Sequence, residues 1–174
     1  RTSFVLLLTL IISACGRSSP LDEMEPGERG RVVRILDGDA LVLDTGQSVR
    51  LVGVEAPVLR PRSGEPEPFA VESARMLEDM VLGRDVQLFY PGLTRDRYDR
   101  ALAHVVTTDA SGERVWANRE MLRQGGARFR LYPDTAMGGE SLLEAEQDAR
   151  ISEAGLWSVR SNRPVVADDL ATDA

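Results

Sequence analysis

The sequence predicts an α+β domain in which short strands surround one early helix and are followed by two late ones. Three observations carry this. Strand-like runs in the first half are punctuated by Asp37-Gly38 and Asp44-Thr45-Gly46, apolar residues recur at three and four over residues 70–82, and helix-start patterns stand at Asn118 and Ser141. In order, residues 32–36, 41–43 and 49–54 read as a meander of three strands, because Asp-Gly and Thr-Gly pairs favour tight turns between β-branched runs. Ala70, Ala74, Leu77 and Val81 share one helix face, which Gly83 ends. Val86, Leu88 and Tyr90 alternate as in a half-buried strand, and residues 101–106 form another apolar run, so five strands with an inserted helix result. Asn118 is expected to cap a short helix through Gln124, stopped by Gly125. Ser141 with Glu144 forms a capping box for a longer helix ending before Gly155, and Trp157 is expected to pack back on the body. This pattern fits a five-stranded oligonucleotide-binding barrel with about three helices, and equally a generic α+β domain.

The flanks read differently. Residues 4–12 are apolar and lead into Ile12-Ser13-Ala14-Cys15, a secretory signal over residues 1–14 closed by a lipoprotein box, too short to span a bilayer. Cys15 is the expected site of acylation. Residues 15–30, with Pro20, Pro26, three glycines and four acids, read as a lipid-anchored solvated spacer, and residues 159–174 as a polar tail. The folded domain is placed at residues 31–158, long enough for one core. No cysteine follows Cys15, which excludes an internal disulfide, and the single histidine, His104, lies in an apolar run, which disfavours a zinc site. These features place the protein in the bacterial envelope, lipid-anchored, facing the periplasm or exterior, as a monomer.

All 21 basic residues are arginine, and the net charge of −7 opposes loose attraction to nucleic acid. Residues 90–130 nevertheless hold eight arginines against five acids, consistent with a local positive lobe or with a charge-laced solvated face. Asp37-Gly38-Asp39 reads as a hairpin turn on its own. In context it brings Asp39 near the strand ending at Glu55, and two carboxylates from separate segments suit a hard, oxygen-liganded cation. Arg50 sits within an apolar strand, either pointing outward or aimed into a polar site. Arg100 lies in an arginine-dense loop beside Tyr98, and guanidinium forks match phosphoryl oxygens.

Three segments, Asp37-Gly38-Asp39-Ala40, Arg50-Leu51-Val52-Gly53-Val54-Glu55-Ala56-Pro57 and Asp96-Arg97-Tyr98-Asp99-Arg100-Ala101-Leu102-Ala103, together resemble the thermonuclease, or staphylococcal-nuclease-like, family. The resemblance covers residues 31–158, including Asn118, Leu122, Gln124-Gly125 and Gly155-Leu156-Trp157, and decides for the barrel. It implies a calcium-dependent nuclease acting on single-stranded DNA or RNA. Asp39 and Glu55 would be the Ca2+ ligands, Arg50 and Arg100 the catalytic phosphate contacts, and Arg97 and Tyr98 the lining of the nucleotide pocket. Three departures weaken the enzyme reading. Glu55 stands where the family usually has aspartate, Ala40 and Ala56 remove hydroxyls, and Val58 replaces the glutamate taken to activate water. Glu65 and Glu67, in the following loop, are substitutes for that base or plain surface acids. A non-catalytic nucleic-acid or protein-binding barrel is the alternative, and an envelope-anchored structural domain the third reading.

Overall fold

A computed structural model describes residues 19–62 and 64–159. The signal, Cys15 and the tail from residue 160 lie outside the described residues. The strands are β1 (Glu25–Asp37), β2 (Ala40–Leu43), β3 (Ser48–Leu51), β4 (Gly53–Glu55), β5 (Asp85–Tyr90), β6 (Ala101–Thr108), β7 (Arg114–Trp116) and β8 (Arg128–Arg130). The helices are α1 (Ala70–Val81), α2 (Ala117–Arg123) and α3 (Gly139–Ile151).

Five strands close a barrel. β1 pairs antiparallel with β2 on one edge and β5 on the other, β2 continues to β3, β5 continues to β6, and a parallel β3–β6 pairing seals the ring. Serving two neighbours in succession requires a long, bent β1, and register shifts between Val32 and Arg34 and between Ile35 and Asp37 provide the bend. β7 extends the sheet beyond β6, and β4 leaves the barrel to pair with β8.

Two expectations are corrected at the ends of the meander. The run 49–54 is two strands, not one. Gly53 breaks it at φ +72°, and a β-carbon there would lie 2.3 Å from Leu142 Cδ1, so only glycine lets α3 close over the bend. The stretch taken as spacer is part of the fold from Pro20 on: a 3-10 turn, Pro20–Glu23, is capped by Ser19, and Leu21 and Met24 are buried in the core before β1 begins. Its prolines and acids lie among those two apolar anchors.

The barrel is filled by Leu41, Leu43, Val49, Leu51, Leu88, Ala103 and Val105, with Leu77 of α1, Met121 and Leu122 of α2 and Leu142 of α3 completing the core. α1 buries the expected Ala70, Ala74, Leu77 and Val81, with Ser73 beside them. Trp157 is buried, as its apolar bulk requires.

Neither expected cap forms. α2 begins after Trp116, and Asn118 lies inside it, wholly buried. Its Oδ1 accepts the Val105 N–H at 2.8 Å, and its Nδ2 donates to the carbonyls of Val52 at 2.8 Å and Ala103 at 3.3 Å. Asn118 is thus a strut between β6 and the β3–β4 bend, giving partners to the Val105 N–H and the Val52 carbonyl and a second donor to the Ala103 carbonyl, which also accepts the Val52 N–H at 3.1 Å. α3 starts after Gly138, upstream of Ser141, with no side-chain cap.

His104 is a structural residue, completely buried on β6. Trp116 Nε1–H donates to its Nδ1 at 3.1 Å, so the proton sits on Nε2, which donates to the Met137 carbonyl at 3.2 Å. Burial lowers its pKa from 6.5 to about 4. A depressed histidine is protonated first in the unfolded chain, so its contribution is complete above pH 6.5 and is lost as pH falls toward 4. We expect this site to remove about 3 kcal/mol of stability across that window. Urea unfolding at pH 7 and pH 4 checks it: the stability lost by the parent should exceed that lost by His104→Gln, and equal losses would contradict the assignment.

Candidate functional site

The turn between β1 and β2 is Asp37-Gly38-Asp39. A β-carbon at position 38 would lie 1.9 Å from Ser73 Oγ, so glycine is required where α1 presses against the turn. Asp39, the first residue past it, is buried. Register places Ala40 opposite Arg50, and the Arg50 guanidinium grips the neighbouring Asp39 carboxylate with both terminal nitrogens, Nη1 to Oδ1 at 3.3 Å and Nη2 to Oδ2 at 3.2 Å. The Ala56 N–H donates to the same carboxylate at 3.2 Å. Burial raises the Asp39 pKa against the opposing pull of Arg50 and the Ala56 N–H. Nearby Asp37 adds to the rise, and Arg100 opposes it. Asp37 is likewise raised by burial, although its carboxylate accepts the N–H groups of Leu59 at 3.2 Å and Gly38 at 3.1 Å.

Barrel closure brings the second arginine to the first. The parallel register sets Arg50 opposite Leu102, so Arg100 enters β6 beside Arg50. The loop before it is organised by Asp96. One carboxylate oxygen receives Arg100 Nε and Nη2, both at 2.7 Å, and the other receives the backbone N–H groups of Tyr98 at 2.9 Å and Arg100 at 3.0 Å. Burial pushes the Asp96 carboxyl up, but Arg100 and these N–H groups outweigh it and hold the pKa below the ordinary range.

Arg50 and Arg100 line one cavity of about 290 Å³ together with Arg130, Tyr132, Asp96 and Leu93. Arg130 and Tyr132 were missed in the sequence. Their signal was the alternation Arg128-Phe129-Arg130-Leu131-Tyr132, a strand pattern that β8 confirms in part. Asp96 opens the third motif segment, and its four-residue spacing to Arg100 in a turn is the sequence clue to this pair. Tyr98 is 65% exposed and lines a second cleft with Glu28, Gln47 and Asp99, not the cavity that holds Arg50 and Arg100. The guanidinium groups of Arg97 and Arg100 lie over its ring, 4.8 and 5.6 Å from the centroid.

Glu55 precedes Ala56, the backbone partner of Asp39, but its own carboxylate pairs elsewhere. Its Oε2 pairs with Arg130 Nη1 at 3.4 Å across the β4–β8 ribbon. Among the described residues, no three acid, histidine or cysteine side chains gather closely enough to cage a metal ion. The donors available at the turn are all carboxylate oxygens, Asp39 and Asp37 both desolvated, which suits in kind a hard cation that completes its shell with water or phosphate. Val58 presents a partly exposed apolar side chain. Its backbone N–H is instead taken by Glu67, Oε2 at 2.8 Å, so the loop acid folds back to the position where the glutamate is lacking.

The family model described as staphylococcal nuclease homologue matches residues 48–159. The chain is 26% identical over 136 residues to a thermonuclease of Staphylococcus hyicus, covering 74% of this chain and 75% of that one. It is 34% identical over 132 residues to an uncharacterized endonuclease of Escherichia coli O157:H7, covering 74% and 76% respectively. A probable endonuclease of Pyricularia oryzae matches at 30% over 120 residues, 64% of this chain and 44% of that one. With its closed barrel, its paired arginines and a family match over most of its length, the chain belongs to the staphylococcal nuclease homologue family.

Proposed function

We propose that the protein hydrolyses phosphodiester bonds of single-stranded DNA or RNA. The observation that supports this most is the convergence of Arg50 and Arg100 on one cavity, each oriented by a carboxylate through two guanidinium nitrogens. Two such forks fit the equatorial oxygens of a phosphoryl group whose charge grows as water attacks, and donors fixed beforehand need no reorganisation at that moment. Asp39 and Glu55 are the proposed ligands of a calcium ion, with Asp37 beside them, and Glu55 would have to turn from Arg130 to serve. When bound, calcium supplies positive charge that polarises the phosphate. Arg97 and Tyr98 offer a cation and an exposed ring to the strand's bases and backbone.

Val58 neither accepts a proton nor holds a water, so attack proceeds without general-base help from that position, or with the Glu67 carboxylate that reaches its backbone. Val58 is also what favours a second reading, a binding barrel without catalysis. The export signal and acylation of Cys15 belong to the same proposal, placing the domain in the envelope as a lipid-anchored monomer. Among the described residues, no helix is long and apolar enough to cross a membrane.

Cleavage of single-stranded DNA and RNA, assayed with calcium and with chelator, should be slow and chelator-sensitive. Arg50→Ala and Arg100→Ala should each reduce turnover about 10²- to 10³-fold, and Val58→Glu should raise it about tenfold or more. Absence of chelator-sensitive cleavage in both parent and Val58→Glu, with strand binding intact, would establish the binding reading instead. For the anchor, radiolabelled palmitate should enter the parent in a bacterial host and not Cys15→Ser, and equal labelling of the two would remove that part of the proposal.

A further inference from the structure

We propose that Arg130 is a third phosphate-binding arginine, held by Glu55 while no strand is bound and released to the phosphate next to the one that Arg50 and Arg100 hold. The inference rests on the nuclease reading above. It starts from the cavity, where Arg130 and Tyr132 of the β8 segment face Arg50 and Arg100 of the barrel.

All three guanidinium groups have a carboxylate partner, but the partners are not equivalent. The side chains of Asp39 and Asp96 are 5% and 17% exposed, and each receives two guanidinium nitrogens. Glu55 is 44% exposed, Arg130 is 53% exposed, and they share one contact at 3.4 Å. An exposed single-contact ion pair contributes little, whereas desolvated bidentate pairs are costly to part. An arriving polyanion therefore displaces Glu55 first. That release frees Arg130 in a cavity whose lining sets three arginines against Asp96 and Asp134.

Arg130 is also prepared for a phosphate. Its Nε donates to Tyr132 Oη at 3.0 Å and its guanidinium lies 5.6 Å from the Tyr132 ring centroid, so the side chain stays anchored when Glu55 leaves and its terminal nitrogens turn to the ligand. Tyr132 and Leu93, 52% and 50% exposed, are apolar walls beside the three cations. Three cations lining one cavity with an exposed ring match an extended single strand better than a free phosphate ion, because a base can stack while successive phosphates pair. Glu55, once freed, regains the freedom its proposed role at the ion requires, so strand binding and ion binding favour one another.

The test is binding, not turnover. The full-length protein is titrated in chelator with a thymidine tetranucleotide carrying phosphorothioate linkages, over a range of salt concentrations. Arg130→Gln should weaken binding about tenfold and make the slope of log affinity against log salt shallower by about 0.7, while Arg130→Lys keeps the slope. Glu55→Gln should tighten binding about threefold, a gain absent from the Glu55→Gln/Arg130→Gln double variant. Thermal melting verifies that each variant is folded, and Arg130→Lys covers the case in which Arg130→Gln is not. Parent-like affinity and salt slope in Arg130→Gln, or a gain on Glu55→Gln that persists in the double variant, overturns this inference and leaves the nuclease reading standing. A folded parent that binds the tetranucleotide neither in chelator nor in calcium overturns both.

Discussion

The Asp39 carboxylate is the constraint around which the rest of the site is arranged. It is buried, and it is met from two sides, by the Arg50 guanidinium of β3 and by the Ala56 N–H just past β4. One side chain thereby ties the β1–β2 turn, the barrel strand carrying an arginine and the strand that leaves the barrel. Its raised pKa means that the native state binds a proton there more readily than the unfolded chain. The site therefore favours folding below the carboxylate range and opposes it as pH rises through the raised value. The Arg50 guanidinium compensates that buried charge only in part, since the pKa stays raised, and a bound cation would compensate more of it.

Barrel closure and site assembly are one event. Arg50 and Arg100 lie 50 residues apart in sequence and meet because β3 and β6 pair in parallel at the register Arg50 to Leu102. Asn118 secures the same junction from below, binding β6 and the Val52 carbonyl in one amide. Loss of that amide would strand two buried backbone groups, the Val105 N–H and the Val52 carbonyl, a penalty on the order of 2 kcal/mol. His104, completely buried, lies on the strand that delivers Arg100, and Asn118 of α2, equally buried, binds that strand.

Periodicity carried the strand and helix faces well, since the three-and-four repeat of α1 and the alternation of β5 are direct consequences of where side chains point. Capping patterns failed because Asn118 found better partners inside the protein than at a helix end, and because Gly138 supplied the turn that Ser141 had promised. The N-terminal boundary was misplaced because acids and prolines outnumber the two residues, Leu21 and Met24, that dock the segment. At the site, motif spacing located Asp39, Arg50 and Arg100. It did not reveal which carboxylate each arginine grips, because pairings such as Arg130 with Glu55 depend on the register of β8 against β4, which no local pattern encodes.

The central claim is that burial of the Asp39 carboxylate costs the fold stability that a bound cation would recover. Thermal midpoints of the parent and Asp39→Asn, each in chelator and in calcium, test it most directly. The account requires Asp39→Asn to melt above the parent in chelator, and calcium to raise the midpoint of the parent but not of the variant. A variant that melts below the parent in chelator, or a parent that ignores calcium, would contradict it.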